Sequence, residues 1–555
     1  MLYSIGLFSQ EYRNSGFIKP MQLPFNLAGS FGEPRKDHFH SGIDIKTNGV
    51  EGEPVFAIGD GYISRIRVSP YGYGRAIYIT HTNGFTSVYG HLSKFYSAIE
   101  NYIHAKHYSL KKSELDLTLD PTVFPLKQSD TIAFSGNTGG SSAPHLHFEI
   151  RNTKTEHALN PLDFYPRDFY VDTIPPQINK VKILKLYDDF YFTDDTVYYL
   201  RKKENYLTTE DSVIIDNYPS YCLSLEGFDK QDNSENKNGI KKIEVWLNDS
   251  LVFKYDLTEV DFDKTRMCNA FVDYDEMLND SGYFYNSYQF SGNTLSMYSS
   301  MNKGIFKINN NEKRSLTIHC YDYNYNKTTV KLNIVRHDTI KYLDSSAISG
   351  YLAYSRYYEN YLNDFKVKFL ANTFYDNTVI TLDSEATLDK NILSKIYHAT
   401  NYHHIYIPLH KPAKLEFKSA IKKNRNKIIV VRQYNKGKET ALKTTFDKTK
   451  FYAETKELGT FYLKYDTTKP IAEILNPKSQ IPNSSIQVKI TDNLSGIDTY
   501  NGYIDNQWVN FYYDAKNDVI EYKFDEYCSK GEHLLKIIVT DKVGNKTSIE
   551  QKIIY

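Results

Sequence analysis

Pro144-His145-Leu146-His147-Phe148-Glu149-Ile150 sets two histidines around one leucine at the head of an apolar alternation. In an extended strand the side chains at 145 and 147 leave one face about 6.6 Å apart, at roughly 3.3 Å per residue, while Leu146 and Phe148 face the other way. That spacing suits one metal ion and its water. His147 can hold a cation while His145 reaches the water or a substrate oxygen beside it. A His-x-His on a strand is by itself more often a surface pair than a metal site, so the weight falls on the residues around it.

Working outward, residues 22–165 read as a dense β-domain. Gly29-Ser30-Phe31-Gly32-Glu33-Pro34 is rich in turn formers and precedes Asp37-His38-Phe39-His40-Ser41-Gly42-Ile43-Asp44-Ile45. Ile43 and Ile45 alternate with Asp44, which predicts a strand apolar on one side and carrying a carboxylate on the other. Gly42 lets the backbone bend, so His40 and Asp44 can converge from a loop and a strand end. Strands are expected at 54–58 and 62–68 around Gly59-Asp60-Gly61. A hairpin of 75–81 and 85–91 turns at Thr82-Asn83-Gly84, a strong two-strand signal. It delivers His91, in Tyr89-Gly90-His91-Leu92-Ser93, to a strand end. Residues 94–124 break the pattern, with a short helix expected over 95–103 and then a Lys/Leu/Asp-rich connector, an insertion able to rim a groove. The β pattern returns at 130–134, and Ser135-Gly136-Asn137-Thr138-Gly139-Gly140-Ser141-Ser142 reads as a flexible loop feeding His145 and His147.

Taken together, His40-x-x-x-Asp44, Tyr89-Gly90-His91-Leu92-Ser93, Ser135-Gly136-Asn137-Thr138-Gly139 and His145-Leu146-His147-Phe148-Glu149 resemble the lysostaphin/LytM-type zinc metallopeptidases of the M23 family. The resemblance covers roughly residues 25–160 and implies a LytM-like antiparallel β catalytic domain. It implies Zn²⁺ held by His40, Asp44 and His147, with a fourth position left for water, and His91 and His145 as the catalytic pair. The chemistry is coherent in its own right, since neutral imidazole and carboxylate suit Zn²⁺, which lowers the pKa of a bound water towards about 7. One histidine near that water can serve as general base while the other steadies the oxyanion and helps protonate the leaving amine. Which of His91 and His145 takes which part is left open. No HExxH helix offers a different zinc site. His38 competes with His40 on spacing alone, and the resemblance selects the histidine four before the aspartate. His38, His81, His104 and His107 are read as non-ligands.

Beyond Arg151 the chain changes character. Asp172-Thr173-Ile174-Pro175-Pro176 reads as a linker stiffened by its prolines. An internal repeat follows: this stretch echoes Asp466-Thr467-Thr468-Lys469-Pro470, Gly239-Ile240 echoes Gly496-Ile497, and residues 316–328 align with 535–547. Two Ig-like β-sandwich copies are therefore expected, at 172–337 and 466–555, the first lengthened by a Tyr/Ser/Asn-rich excursion near 283–301. A further β-module is expected at 340–465, from Ile405-Tyr406-Ile407-Pro408-Leu409, 413–417 and 427–431. His403-His404 has no carboxylate at ligand spacing and reads as a solvated loop. The fold class is mainly β throughout, in keeping with 49 Tyr and 31 Phe. Aligning the copies puts Cys320 with the inward-looking Val539, whereas Cys222 falls out of phase with Leu223 and Leu225. That parity argues against a bridge between them.

Equal numbers of basic and acidic residues, 67 each, give no general attraction for nucleic acid or an anionic membrane. No run approaches the roughly 18 apolar residues of a membrane helix. Residues 1–11 look like the last part of a secretory signal, without its basic region and full apolar region, or equally like an ordinary flexible N-terminus; the expected location is periplasmic or extracellular. The expected function is a zinc-dependent endopeptidase cutting peptide bonds in peptidoglycan stems or crosslinks, its partners being the peptidoglycan peptide and other envelope proteins. The competing expectation is a non-hydrolytic or autoinhibited regulator of cell-wall hydrolases, or a cell-surface binding protein.

Overall fold

The computed structural model of the chain describes residue 12 and residues 15–187, 190–216, 218–279, 282–336, 350–400, 408–434, 437–475 and 485–555. Residues 1–11, the His403-His404 pair and residues 405–407 lie outside the described residues.

The N-terminal part is built on an antiparallel sheet in the order β1 (Leu27–Gly29), β2 (Ile43–Lys46), β11 (His145–Asn152), β6 (Phe85–Gly90), β5 (Arg75–His81), β4 (Gly61–Val68) and β8 (Leu115–Thr118). A smaller sheet, β3 (Pro54–Phe56), β10 (Thr131–Phe134) and β7 (Lys94–Phe95), contributes to the same core. The period of two seen in the sequence sorts the faces. Ile77, Ile79, Tyr89, Leu146, Phe148 and Ile150 enter the core with Val55, Phe95 and Ala133. His147, Glu149 and Arg151 alternate to the other face. The β5–β6 hairpin turns at Asn83-Gly84, where Gly84 has φ +88°.

Residues 94–124 differ from the expectation. The helix α1 runs Ser97–Leu110, longer than predicted, because Ile99, Ile103 and His107 form a buried stripe at a four-residue spacing. The segment does not border the cleft described below. Its exposed face instead meets the last module: Tyr108 stacks on Tyr527 at 3.6 Å between ring centroids, and His104 lies 3.0 Å from Glu526. The 135–142 loop is pinned rather than free. Thr138 Oγ1 donates to the Leu92 carbonyl and accepts from the Arg75 amide, Gly140 N–H donates to the Gly72 carbonyl, and Lys516 Nζ donates to the Ser141 carbonyl.

The first repeat copy is joined to this domain by more than a linker. Strand β12 (Ala158–Leu159) pairs with Glu259–Val260, Phe39 meets Phe271 edge-on at 5.3 Å, and one apolar core runs from Met21 to Ile334. In the last copy a sheet containing Ser485–Thr491 and Val519–Lys523 faces one containing Ile497–Ile504 and Glu532–Asp541, with Ile486, Val488, Leu535 and Ile537 in one shared core. The middle segment holds two five-stranded antiparallel sheets over a third core. All four cysteines are buried free thiols. Strand Ser220–Phe228 is buried along its whole length, so Leu223 and Leu225 enter the large core while Cys222 packs with Leu186 and Tyr288 on the other side. Among the described residues no helix is long and apolar enough to cross a membrane.

Candidate metal centre

The register of the sheet assembles the site. His147 on β11 lies directly opposite Asp44 on β2 and, on its other side, opposite Gly90 of β6, the residue before His91. His40 reaches the same point from the loop before β2. Gly42 lies at a bend, as expected, and is also needed for close approach: a Cβ at 42 would come within 2.3 Å of the Phe148 carbonyl oxygen, so only glycine lets this loop lie against β11.

Three ligand-type atoms converge. His40 Nε2 lies 3.0 Å from Asp44 Oδ1 and 3.1 Å from His147 Nδ1, and His147 Nδ1 lies 2.9 Å from Asp44 Oδ1. All three residues are at least nine-tenths buried. The outer nitrogens fix which ring atoms point inward. His40 Nδ1–H donates to the Ser30 carbonyl at 2.7 Å, and His147 Nε2–H donates to Glu149 at 2.9 Å. When its ring is neutral, each inner nitrogen therefore offers a lone pair, as a metal ligand must. The donor set fits zinc: bonds of about 2.0–2.2 Å place tetrahedral ligand atoms roughly 3.3 Å apart.

Glu149 is the hub of a second layer. It accepts from Ser41 Oγ at 2.6 Å, Tyr73 Oη at 2.5 Å and Arg151 Nε at 2.6 Å as well as from His147, and the Tyr73 ring stacks on the His147 ring at 5.0 Å. Arg35 holds the outer oxygen of Asp44 at 3.3 Å. Burial alone would raise the Asp44 carboxyl, but His40, His145 and His147 around it hold it well below the usual carboxylate range. Burial alone would lower the His147 imidazole, but Asp44 and Glu149, one at each ring nitrogen, push it up to about 9.

His91 and His145 stand beside this group. Their rings are 4.8 Å apart between centroids, and His145 Nε2 is 3.3 Å from Asp44 Oδ1. His91 Nδ1–H donates to the Thr138 carbonyl and His145 Nδ1–H to the Ala143 carbonyl, both at 2.8 Å, so both rings present Nε2 inward. Burial, then the neighbouring His147 and His145, pushes His91 down to about 3. It is therefore a neutral base over the ordinary pH range. His91 also has φ +58°, a left-handed backbone uncommon for a residue with a Cβ. Such local strain is characteristic of functional positions.

All five sequence-selected residues, His40, Asp44, His91, His145 and His147, meet at one open cleft. His38 also borders that cleft, but its ring turns to Asp37 at 2.7 Å, away from the triad. His81 is tied to Ser87 and the Asp60 carbonyl, and His107 to the Lys112 carbonyl. The sequence reading missed Arg35, Tyr73 and the hub role of Glu149. It also missed that Asn236, Phe262 and Thr265 of the first repeat copy form part of the cleft wall. Glu149 was legible, because i and i+2 share a face of a strand. The wall residues carry no local signal.

Residues 38–108, which include His40, Asp44 and His91, match the family model described as Peptidase family M23, and residues 349–466 match the one described as Zu5-like domain. The chain is similar to an "Uncharacterized metalloprotease" of Haemophilus influenzae, 31% identical over 159 residues that make up 27% of this chain and 28% of that one. It is also similar to the DD-carboxypeptidase/endopeptidase Mpg of Neisseria meningitidis, 34% identical over 112 residues, 20% of each chain. Among solved structures it resembles the catalytic domain of the antimicrobial peptidase lysostaphin from Staphylococcus simulans, with 26% identity over 28% of this chain and 96% of that one and a TM-score of 0.19. The chain spans between a fifth and 28% of the length of these curated relatives.

Proposed function

We propose, from the M23 peptidase domain that this chain carries, that it is a zinc endopeptidase hydrolysing peptide bonds in the stems or crosslinks of peptidoglycan outside the cytoplasm. The observation that carries the reading is the convergence of His40 Nε2, Asp44 Oδ1 and His147 Nδ1, the outer partners of the two rings turning both nitrogens inward. Relatives named as peptidoglycan DD-endopeptidase support the substrate class.

His40, Asp44 and His147 hold the metal. Bound there, zinc supplies a Lewis acid that acidifies a water and polarises the scissile carbonyl. His91, kept neutral by burial, presents the Nε2 lone pair that a proton acceptor needs, and His145, whose Nδ1–H is held by Ala143, donates from Nε2 to the oxygen on which charge develops once that ring has gained a second proton, though the two rings are near enough to exchange these parts. The carbonyls of Thr138 and Ala143 keep both rings in the productive tautomer. Arg35 restricts Asp44 to one inward oxygen. Phe262 and Thr265 form part of the wall that a bound peptide would meet. The test is release of muropeptides from purified sacculi by the zinc-loaded full chain. Silence at full zinc occupancy overturns the reading in favour of a regulatory role.

Two further results are expected. Glu149→Gln keeps the shape of the hub but loses the charge that orients His147, so zinc affinity should fall about 10- to 100-fold. Competition with a chromogenic chelator measures it, and an unchanged affinity would remove Glu149 from the account. Second, His147 carries a proton below about pH 9 that the metal must displace. Zinc affinity should therefore rise about tenfold per pH unit up to that point and level off above it. Near pH 7, calorimetry in buffers of different ionisation enthalpy should show about one proton released per zinc, and no buffer dependence would count against it.

A further inference from the structure

The two repeat copies share a feature away from the cleft. Asp172, Asp229 and Asp322 bring carboxylate oxygens within 4.8 Å of one another in the first copy, and Asp466, Asp492 and Asp541 do so in the last. The correspondence is positional. Asp172 and Asp466 open the two matching linker motifs, while Asp322 and Asp541 each lie four before an asparagine. Asp229 and Asp492 each directly follow a strand, Ser220–Phe228 and Ser485–Thr491.

The asparagines confirm the match in three dimensions. Asn326 Nδ2 donates to the Asp172 carbonyl at 2.9 Å and to Asp322 Oδ2 at 2.7 Å, and Asn545 Nδ2 donates to the Asp466 carbonyl at 3.1 Å and to Asp541 Oδ2 at 2.6 Å. Thr328 and Thr547 likewise donate to the carbonyls of Pro176 and Pro470.

The independent observation is unpartnered oxygen. Asp229 is fully buried, and beyond a weak approach of the Lys230 backbone amide neither of its carboxylate oxygens has a hydrogen-bond partner in the protein; Asp466 Oδ1 and Asp492 Oδ1 are likewise unpartnered. A buried carboxylate without a donor is costly unless a cation meets it. Burial, then Asp172 and Asp322, pushes the Asp229 carboxyl up to about 9, in keeping with a third charge that nothing in the protein balances.

We propose that each aspartate triad binds a calcium ion, one where the peptidase domain passes into the first β-module and one where the Zu5-like segment passes into the last. The donors are all oxygen, which selects a hard cation over zinc. Asp229, with both oxygens open, suits the bidentate and irregular coordination that calcium accepts and magnesium does not. The ion would tie residues 172–176 and 466–470 to their sandwiches and stiffen both passages between modules.

The test uses the full chain, stripped of calcium with EGTA and then saturated with zinc so that the cleft is filled. Calorimetric titration with calcium should give two sites in the wild type, one in Asp229→Asn, one in Asp492→Asn and none in the double variant. Calcium should raise the midpoint of thermal unfolding in the wild type and leave the double variant unmoved. Tyr170 Oη is 3.3 Å from Asp172 Oδ2, so terbium at the first triad should show tyrosine-sensitised emission that calcium abolishes. That measurement needs no variant. No calcium uptake by the wild type, terbium emission that calcium leaves intact, an unchanged count in the variants, or magnesium competing at equal concentration would each overturn the proposal.

Discussion

Zinc content should fall from one per chain to none in both His147→Ala and Asp44→Ala, and hydrolysis of sacculi should fall with it by at least about a thousand-fold. That factor corresponds to the several kcal/mol that a Lewis acid contributes to stabilising charge in an acyl-transfer transition state. Both residues sit at the centre of the convergence, each within 3.1 Å of two other ligand-type groups, so truncating either leaves two ligands, too few for a tight tetrahedral site. Neither change should unfold the domain. Both side chains leave the sheet on the face opposite Leu146, Phe148 and Ile45, which carry the core. Elemental analysis with far-ultraviolet circular dichroism on the same samples separates metal loss from unfolding. Zinc retained in either variant would show that the ligand set is wrong, and a folded wild type that takes up no zinc would move the reading to the regulatory class.

Much of this site was legible in the sequence because its determinants are local and periodic. The alternation of Leu146, Phe148 and Ile150 with His145, His147 and Glu149 fixes which side chains share a face, and Asn83-Gly84 fixes the hairpin that carries His91. The pairing of His147 with Asp44 follows once β2 lies beside β11, and the resemblance of four short motifs supplied that adjacency. What was illegible depends on contacts distant in the chain. The stripe Ile99, Ile103, His107 shows that residues 97–110 are helical, but nothing in it says that the outward face will meet Tyr527 and Glu526 rather than rim the cleft. Likewise Phe262 and Thr265 read as ordinary module residues until β12 pairs with Glu259–Val260 and swings them over the site. The second role of Gly42, closeness to β11, was also illegible, since a glycine needed for closeness to another strand looks the same in sequence as one needed only for a bend.

Replacing His91 or His145 by alanine should give the opposite pattern from the ligand variants: zinc retained at one per chain, with kcat lowered about 10²- to 10⁴-fold, the usual worth of a positioned acid or base. The distinction is demanding, because His145 Nε2 lies only 3.3 Å from Asp44 Oδ1, scarcely farther than the proposed ligands. What sets the two rings apart from His147, though not from His40, is their anchoring. Both are held through Nδ1–H to main-chain carbonyls, of Thr138 and Ala143, on loops at the rim. His147 is instead locked by the buried charge of Glu149 on β11. The carboxylate makes His147 the more basic ligand, whereas a group that accepts a proton must start neutral, as burial keeps His91. If the two histidines serve one proton path, the double variant should be hardly worse than the poorer single variant, since removing either already breaks the path. Additive losses would instead assign them separate tasks, and loss of zinc from His145→Ala alone would make that residue a fourth ligand and leave His91 as the base.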